Sequence, residues 1–180
     1  MNEVAAIGVE YCAIKSTTLK LDNVFKDLGQ ALDDESGEVL FQIQCASLSG
    51  KRKLVDFNGN EIAQMYSQAT KRFYVTVSSS ENQVMSIKPR KMQAVFKNLC
   101  NNGQSTKVDI VGDKMVVIGL QGGRKLASLV MTKTSLKMNI QEGVDMAMIV
   151  LLAIAYTVGN KEDTICCLCS EILGDLISLG

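Results

Sequence analysis

A cluster of three cationic side chains surrounds the only proline of the chain. Lys88, Arg90 and Lys91 flank Pro89, a residue type that marks a loop or an edge strand. Such a cluster can bind a phosphate group, and beside an anionic bilayer each charge contributes about 1 kcal/mol. A solvated loop is the favoured interpretation, because small groups of charge are common on protein surfaces. The cluster is nevertheless the candidate site for an anionic lipid head group.

A second cationic cluster, Lys51 to Lys53, lies beside a predicted hairpin. Alternation along a strand sends Arg52 to the face opposite that of its two neighbours, so we expect a weaker patch here. The whole chain has a formal net charge of zero, from 19 basic and 19 acidic residues. This balance argues against nucleic-acid binding, which needs a dominant positive field.

Three of the six cysteines lie close together near the C-terminus, at Cys166, Cys167 and Cys169. The favoured interpretation is that they pack a helix as small apolar residues, since Cys169 lies on an apolar face. The second is lipidation, because cysteines beside an amphipathic helix are plausible acylation sites. Zinc binding comes last, since a structural site usually needs a fourth ligand, which would have to come from afar.

The chain contains no histidine. This absence removes the usual Ser-His-Asp and Cys-His catalytic arrangements, and it removes the commonest metal ligand. Asp145 opens an apolar segment, where a carboxylate meets the positive end of a helix dipole. We interpret it as a helix cap, because no base, nucleophile or metal ligand set accompanies it. We therefore predict a protein that is not an enzyme, with no catalytic residue, no metal site and no cofactor.

The element that most constrains the fold is the apolar segment of residues 146–158, which carries no charged side chain. Thirteen helical residues span roughly 20 Å, whereas the hydrocarbon of a bilayer is about 30 Å thick. The sequence therefore favours a buried core helix over a membrane span. A helix that is apolar on every side must be surrounded by other elements, and a closed β-sheet is the natural wrapper.

The chain before this segment shows the alternation of apolar and polar residues that is typical of strands. Asn58-Gly59 and Gly112-Asp113 are tight-turn signals between such strands. Pro89 leaves the stretch from 86 to 100 without a clear assignment. The predicted strands cover residues 39–45, 53–57, 61–65, 72–77, 108–111, 114–118, 125–131 and 136–140. This pattern predicts a mainly β protein, either an antiparallel barrel or a sandwich.

An amphipathic helix is predicted over residues 165–177. Its polar face carries Glu171 and Asp175 and has no lysine or arginine, so an anionic lipid surface would repel it. We therefore expect this helix to pack on the barrel or to bind a protein partner.

Four short motifs follow one another along the chain: SGEVLF at 36–41, LVDFNGNEIA at 54–63, VDIVGD at 108–113 and GVDMA at 143–147. In this order and spacing they resemble the LURP-one-related family of the tubby C-terminal-like superfamily. The resemblance covers roughly residues 10–160. It implies a tubby-like, twelve-stranded antiparallel barrel that encloses a central apolar helix over residues 143–158.

The resemblance also implies a function. Tubby-like domains bind phosphoinositide head groups, scramblases move lipid in response to calcium, and the LURP-one-related branch is linked to plant defence. We therefore expect a non-enzymatic interaction protein or membrane-associated adaptor in defence signalling, which binds phosphoinositide or another anionic phospholipid. The alternative is a scramblase-like, lipid-active membrane protein. Residues 134–141, which match the calcium-binding stretch of scramblases, contain no carboxylate, and calcium prefers carboxylate ligands.

The predicted organisation has three parts: an N-terminal extension at 1–9, the barrel domain at 10–160, and the C-terminal amphipathic helix within 161–180. No basic stretch followed by a long apolar run opens the chain, so no secretory signal is visible. Reduced cysteines then fit a cytoplasmic protein that associates peripherally with a membrane.

Overall fold

The computed structural model describes residues 3–22, 28–46, 51–68, 72–78, 82–88, 91–112, 115–132 and 135–159. Within these residues twelve strands form one closed antiparallel barrel. The strands are β1 (Thr17–Asp22), β2 (Leu28–Asp33), β3 (Val39–Ala46), β4 (Lys51–Asp56), β5 (Glu61–Gln68), β6 (Arg72–Val77), β7 (Gln83–Lys88), β8 (Gln93–Asn98), β9 (Gln104–Val111), β10 (Met115–Leu120), β11 (Lys125–Met131) and β12 (Ser135–Ile140).

Each strand pairs with its neighbours in the chain, and β1 closes the barrel by pairing with β12. In that last pair Thr17 lies opposite Ile140 and Asp22 lies opposite Ser135. Closure leaves no free sheet edge, so the prediction of a mainly β antiparallel barrel is confirmed and the sandwich alternative is excluded.

The predicted hairpin at Asn58-Gly59 is present, with a different turn geometry from the one expected. The Gly59 amide donates to the Asp56 carbonyl at 3.1 Å, and the Asp56 amide donates to the Asn60 carbonyl at 2.9 Å. Gly59 has a φ of 87°, whereas Asn58 stays outside the left-handed region. The turn is therefore a three-residue loop whose glycine alone takes the left-handed conformation. The Asp56 carboxylate holds it by accepting from the Asn58 and Asn60 amides.

The apolar segment forms a helix, α1, over residues 146–159. It begins three residues later than predicted, because Gly143 has a left-handed φ of 73° and because residues 144 and 145 form bridges to other backbone segments. Residues 147–158 are all buried, and they belong to one hydrophobic cluster with buried strand residues such as Leu54 and Ile118. Among the described residues, no helix combines the length and apolar character that crossing a bilayer requires.

The N-terminal segment packs against the start of α1. Residues 4–8 are buried, and Val4 forms a parallel bridge with Val144 while Cys12 forms an antiparallel bridge with Asp145. This part of the predicted N-terminal extension therefore contributes to the core. The predicted amphipathic helix at 165–177 lies outside the described residues.

We expect the substitution Leu151→Lys to prevent folding. Leu151 is 1% exposed in the middle of α1, so a lysine there would bury a charge without a partner, at a cost of several kcal/mol. That cost is comparable with the whole stability of a small domain. Circular dichroism of the purified variant measures whether it is folded and at what temperature it melts.

The control for this experiment is Val9→Lys, which places the same charge at a side chain that is 53% exposed. We expect this variant to melt like the parent. A Leu151→Lys variant that also melts like the parent would contradict the burial of α1.

Candidate functional site

The two ends of the barrel can be told apart by the direction of the strands. β12 leads into α1 at what we call the entry end, and we call the opposite end the far end. Because neighbouring strands are antiparallel throughout, every even-numbered strand starts at the far end and every odd-numbered strand finishes there. Residues that are distant in sequence therefore meet at the same end.

Cationic side chains collect at the far end. Lys51 and Arg52 begin β4, Arg72 begins β6, Lys88 ends β7, and Lys91 precedes β8. We call these five residues the basic rim. Two acidic residues lie in the described part of this end. Asp22, the last residue of β1, forms an ion pair with Lys20 of the same strand at 3.1 Å, and Asp109 of β9 accepts a hydrogen bond from Gln93 of β8 at 3.2 Å.

Acidic side chains collect at the entry end instead. The turn between β2 and β3 and the turn between β4 and β5 are both acidic, and so are the segments beside the start of α1. The described acidic residues of this end are Glu3, Glu10, Asp33, Asp34, Glu35, Glu38, Asp56, Glu61 and Glu142. The entry end also carries Lys15, Lys97, Arg124 and Lys125, but these nine acidic residues outnumber them. The zero net charge of the chain therefore conceals a barrel that is more basic at one end and more acidic at the other.

Arg52 differs from the rest of the basic rim because it lies on the face of β4 that carries the buried Leu54. Across the neighbouring strands it pairs with Cys45 and with the fully buried Met65. Its Nε atom is buried and has no hydrogen-bond partner among the residues that the structure describes. The guanidinium thus lies at the inner margin of the far end. Its Nε–H group is available there to donate a hydrogen bond to an anion.

Lys53 does not belong to this site. Its Nζ lies 2.6 Å from Oε2 of Glu61 on the adjacent strand, and the hydrogen bond from Lys53 lowers the pKa of that carboxyl group. The charge of Lys53 is therefore compensated on the outer wall of the barrel. Of the predicted Lys51–Lys53 cluster, only the first two residues contribute to the basic rim.

The predicted head-group cluster is placed in part by the structure. Lys88 is half-buried at the end of β7, opposite Gln93, and Lys91 is exposed. Arg90 lies outside the described residues, as do Cys166, Cys167 and Cys169. The structure brings Lys51 and Arg52 of the second predicted cluster to the same end of the barrel, and it adds Arg72, which the sequence analysis did not single out. Because alternate strands begin at the same end, the order of the predicted strands was the signal that could have found this grouping.

Asp145 is a buried structural anchor. Its side chain is completely buried, and Oδ1 accepts from the Met148 amide at 2.9 Å, as a helix cap does. Oδ2 accepts from the amides of Ala6, Ile7 and Gly8 at 3.1, 2.8 and 3.2 Å. Burial raises the pKa of Asp145, and these four amide donors oppose the rise. The carboxylate holds the N-terminal segment against α1, in agreement with its interpretation as a cap.

Two of the described thiols, those of Cys12 and Cys100, are poor nucleophiles. Burial, with the nearby Asp145 carboxylate, raises the pKa of Cys12 to about 12, and burial with the nearby Glu3 raises the pKa of Cys100. A thiol reacts as its thiolate, so neither group is activated. In the described ranges, no three Cys, Asp or Glu side chains lie close enough together to hold a metal ion.

A polar groove of about 610 Å³ lies at the entry end. It is lined by Glu3, Asn98, Cys100 and Arg124 among others, and Arg124 donates to the Glu142 carbonyl at 3.3 Å. The groove contains the carboxylate of Glu3, the guanidinium of Arg124 and the thiol of Cys100, whose pKa is raised. None of these groups is an activated nucleophile. The basic rim is therefore the stronger candidate site.

The chain is similar to a known protein family and to a solved structure. A family model described as LURP-one-related matches residues 18–157. A crystal structure of a protein from Arabidopsis thaliana matches with a TM-score of 0.61 and 19% sequence identity, over 87% of this chain and 98% of that chain. At that identity the structural match shows a shared fold. No curated protein sequence matches the chain significantly.

We expect Asp145→Ala to destabilise the protein by about 3–5 kcal/mol, because it leaves four amide groups without the acceptor they have now. The matched control is Asp33→Ala, since that carboxylate also accepts from two turn amides, at 3.0 and 2.8 Å, but in an exposed turn where water can replace it. Urea unfolding measures the free energy of unfolding of both variants and of the parent. Equal losses of stability would show that Asp145 is not an anchor.

Proposed function

Because the chain belongs to the LURP-one-related family, we propose that it acts as a non-enzymatic adaptor at membranes, with the basic rim as the surface that binds anionic phospholipid or phosphoinositide head groups. The observation that carries this proposal is the separation of charge along the barrel axis. The assignment to defence signalling rests on family analogy alone.

The size of the electrostatic attraction fits reversible, peripheral binding. At about 1 kcal/mol for each cation near an anionic surface, the five residues of the basic rim provide at most about 5 kcal/mol. Such binding weakens as salt rises, because the Debye length at physiological ionic strength is about 8 Å. The acidic entry end would be repelled by the same surface, so a barrel that binds lipid this way does so with its far end.

The proposal includes a tubby-like arrangement in which α1 runs through the barrel. The burial of α1 on every side and its place in one hydrophobic cluster with the strands support it. In that arrangement the C-terminal carbonyl groups of α1 lie at the far end, close to the inner margin where Arg52 begins β4. Their partial negative charge would then help to hold the Arg52 guanidinium there.

The scramblase-like alternative has less support. It requires a calcium site before α1, and residues 135–141 contain no carboxylate. It also requires an apolar helix that enters the bilayer, whereas α1 buries its apolar side chains within the protein.

We expect the triple variant Arg72→Ala, Lys88→Ala and Lys91→Ala to lose vesicle binding by about a hundredfold, since three charges of about 1 kcal/mol each are removed. Co-sedimentation measures this binding with three kinds of vesicle: phosphatidylcholine alone, phosphatidylcholine with phosphatidylserine, and phosphatidylcholine with phosphoinositide. Equal binding to both anionic vesicles indicates recognition of charge, and preference for the third indicates a head-group pocket.

The matched control removes three exposed cations from outside the basic rim, by Lys15→Ala, Lys97→Ala and Lys125→Ala. It changes the net charge by the same amount. If this variant loses as much vesicle binding as the rim variant, the effect depends on net charge, and the basic rim is not the site.

We also expect a calcium titration followed by calorimetry to show no heat of binding, because the stretch before α1 lacks carboxylate ligands. A saturable isotherm would favour the scramblase-like alternative over the adaptor.

A further inference from the structure

The far end carries a second feature that the basic rim does not explain. Four large apolar side chains are exposed there: Val111 (65%), Met115 (54%), Val130 (38%) and Met131 (49%). We call them the apolar rim. Val111 ends β9, Met115 begins β10, and Val130 and Met131 end β11, so they occupy three adjacent strands. Met115 and Val130 lie directly opposite each other across β10 and β11.

The apolar rim continues the basic rim around the barrel. The basic rim covers β4 to β8, and the apolar rim covers β9 to β11. The Ile110 amide donates to the Met92 carbonyl at 2.8 Å, which ties the residue after Lys91 to the residue before Val111. Three strand spacings of about 4.8 Å separate β8 from β11. Lys91 and the apolar rim therefore lie on neighbouring strands at the same end of the barrel.

We infer that the two rims form one membrane-docking face, in which the apolar rim inserts at the boundary of head groups and acyl chains while the basic rim contacts lipid phosphates. This inference rests on the proposed function and adds the orientation and the second source of affinity. Surfaces that combine cations with exposed apolar side chains suit an anionic bilayer, because the two kinds of contact act at different depths.

Charge decides between this face and the other exposed apolar residues. The others are Val9 (53%), Ile14 (94%), Phe57 (70%) and Leu99 (47%), which are exposed at the entry end. Acidic residues such as Glu10, Glu35 and Asp56 predominate there. Insertion there would bring carboxylates against an anionic surface. At the far end the described charged residues beside the apolar rim are two cations, Lys91 and Lys137, and one carboxylate, Asp109. Charge complementarity thus favours a lipid bilayer as the occupant of the apolar rim.

The chain contains no tryptophan, so a single introduced indole reports on one position. We expect the fluorescence of a Met115→Trp variant to shift to the blue on adding phosphatidylserine vesicles, and to be quenched by lipids brominated on the acyl chain. The control, Phe57→Trp at the entry end, should show neither effect. An unshifted Met115→Trp spectrum in protein that sediments with vesicles would overturn the inference.

A second variant separates insertion from charge. The double variant Met115→Gln and Met131→Gln keeps the length of both side chains and removes their apolar character. We expect it to bind vesicles about tenfold more weakly than the parent, and we expect this difference to remain at high salt. The control pair, Ile14→Gln with Phe57→Gln, should bind like the parent.

The outcomes distinguish the inference from the function on which it rests. If the parent protein binds no vesicles, the proposed function fails. If the parent binds and the rim-cation variant does not, while the double Gln variant binds like the parent, the function stands and the insertion of the apolar rim is wrong. A blue shift of Met115→Trp with protein concentration alone, in the absence of vesicles, would assign the apolar rim to a second copy of the chain and overturn the inference.

Discussion

The structure depends on one buried carboxylate. Asp145 satisfies four backbone amides that come from two separate parts of the chain, three from residues 6–8 and one from the first turn of α1. Each amide would otherwise be buried without a partner. Backbone bonds on either side, such as Val4 to Gly143 at 2.8 Å and Ala13 to Val144 at 3.0 Å, extend the same junction. The start of α1 is thereby fixed to the N-terminal segment, and an apolar helix can begin in the core rather than at the surface.

The barrel topology converts alternating segments of sequence into two chemically different ends. In a barrel where each strand pairs with the next, every second connection lies at the same end. Acidic turns such as 33–38 and 56–61 therefore meet at the entry end, and the cationic strand ends at Lys51, Arg72 and Lys88 meet at the far end. Neither group is contiguous in sequence. The separation of charge between the two ends is a property of the fold, and groups of charge that are contiguous in sequence show only parts of it.

Sequence patterns predicted most of this fold where alternation was strong, as in Phe41, Ile43 and Cys45, and where apolar residues had no interruption, as in α1. They failed at β1, where only Leu19 and Leu21 alternate with polar residues, and at β2, whose inward residues are small ones such as Ala31. They also failed at β7 and β8, where Pro89 obscured the alternation of Met85, Ile87 and Phe96. Arg52 and Arg72 joined the candidate site only once the strand directions were known, because membership of a rim depends on topology.

The separation of charge also answers the objection that a neutral protein should have little affinity for an anionic surface. Net charge governs attraction at distances much larger than the protein, but at physiological salt the relevant range is about 8 Å. Over that range a surface encounters only the nearest end of the barrel. An approaching anionic bilayer would thus attract the basic rim and repel the acidic entry end. These two forces would rotate the molecule so that its far end faces the bilayer before contact. The same rotation presents Met115 and Val130, which share the far end with the cations, so orientation by charge and burial of apolar area would act in sequence on one face.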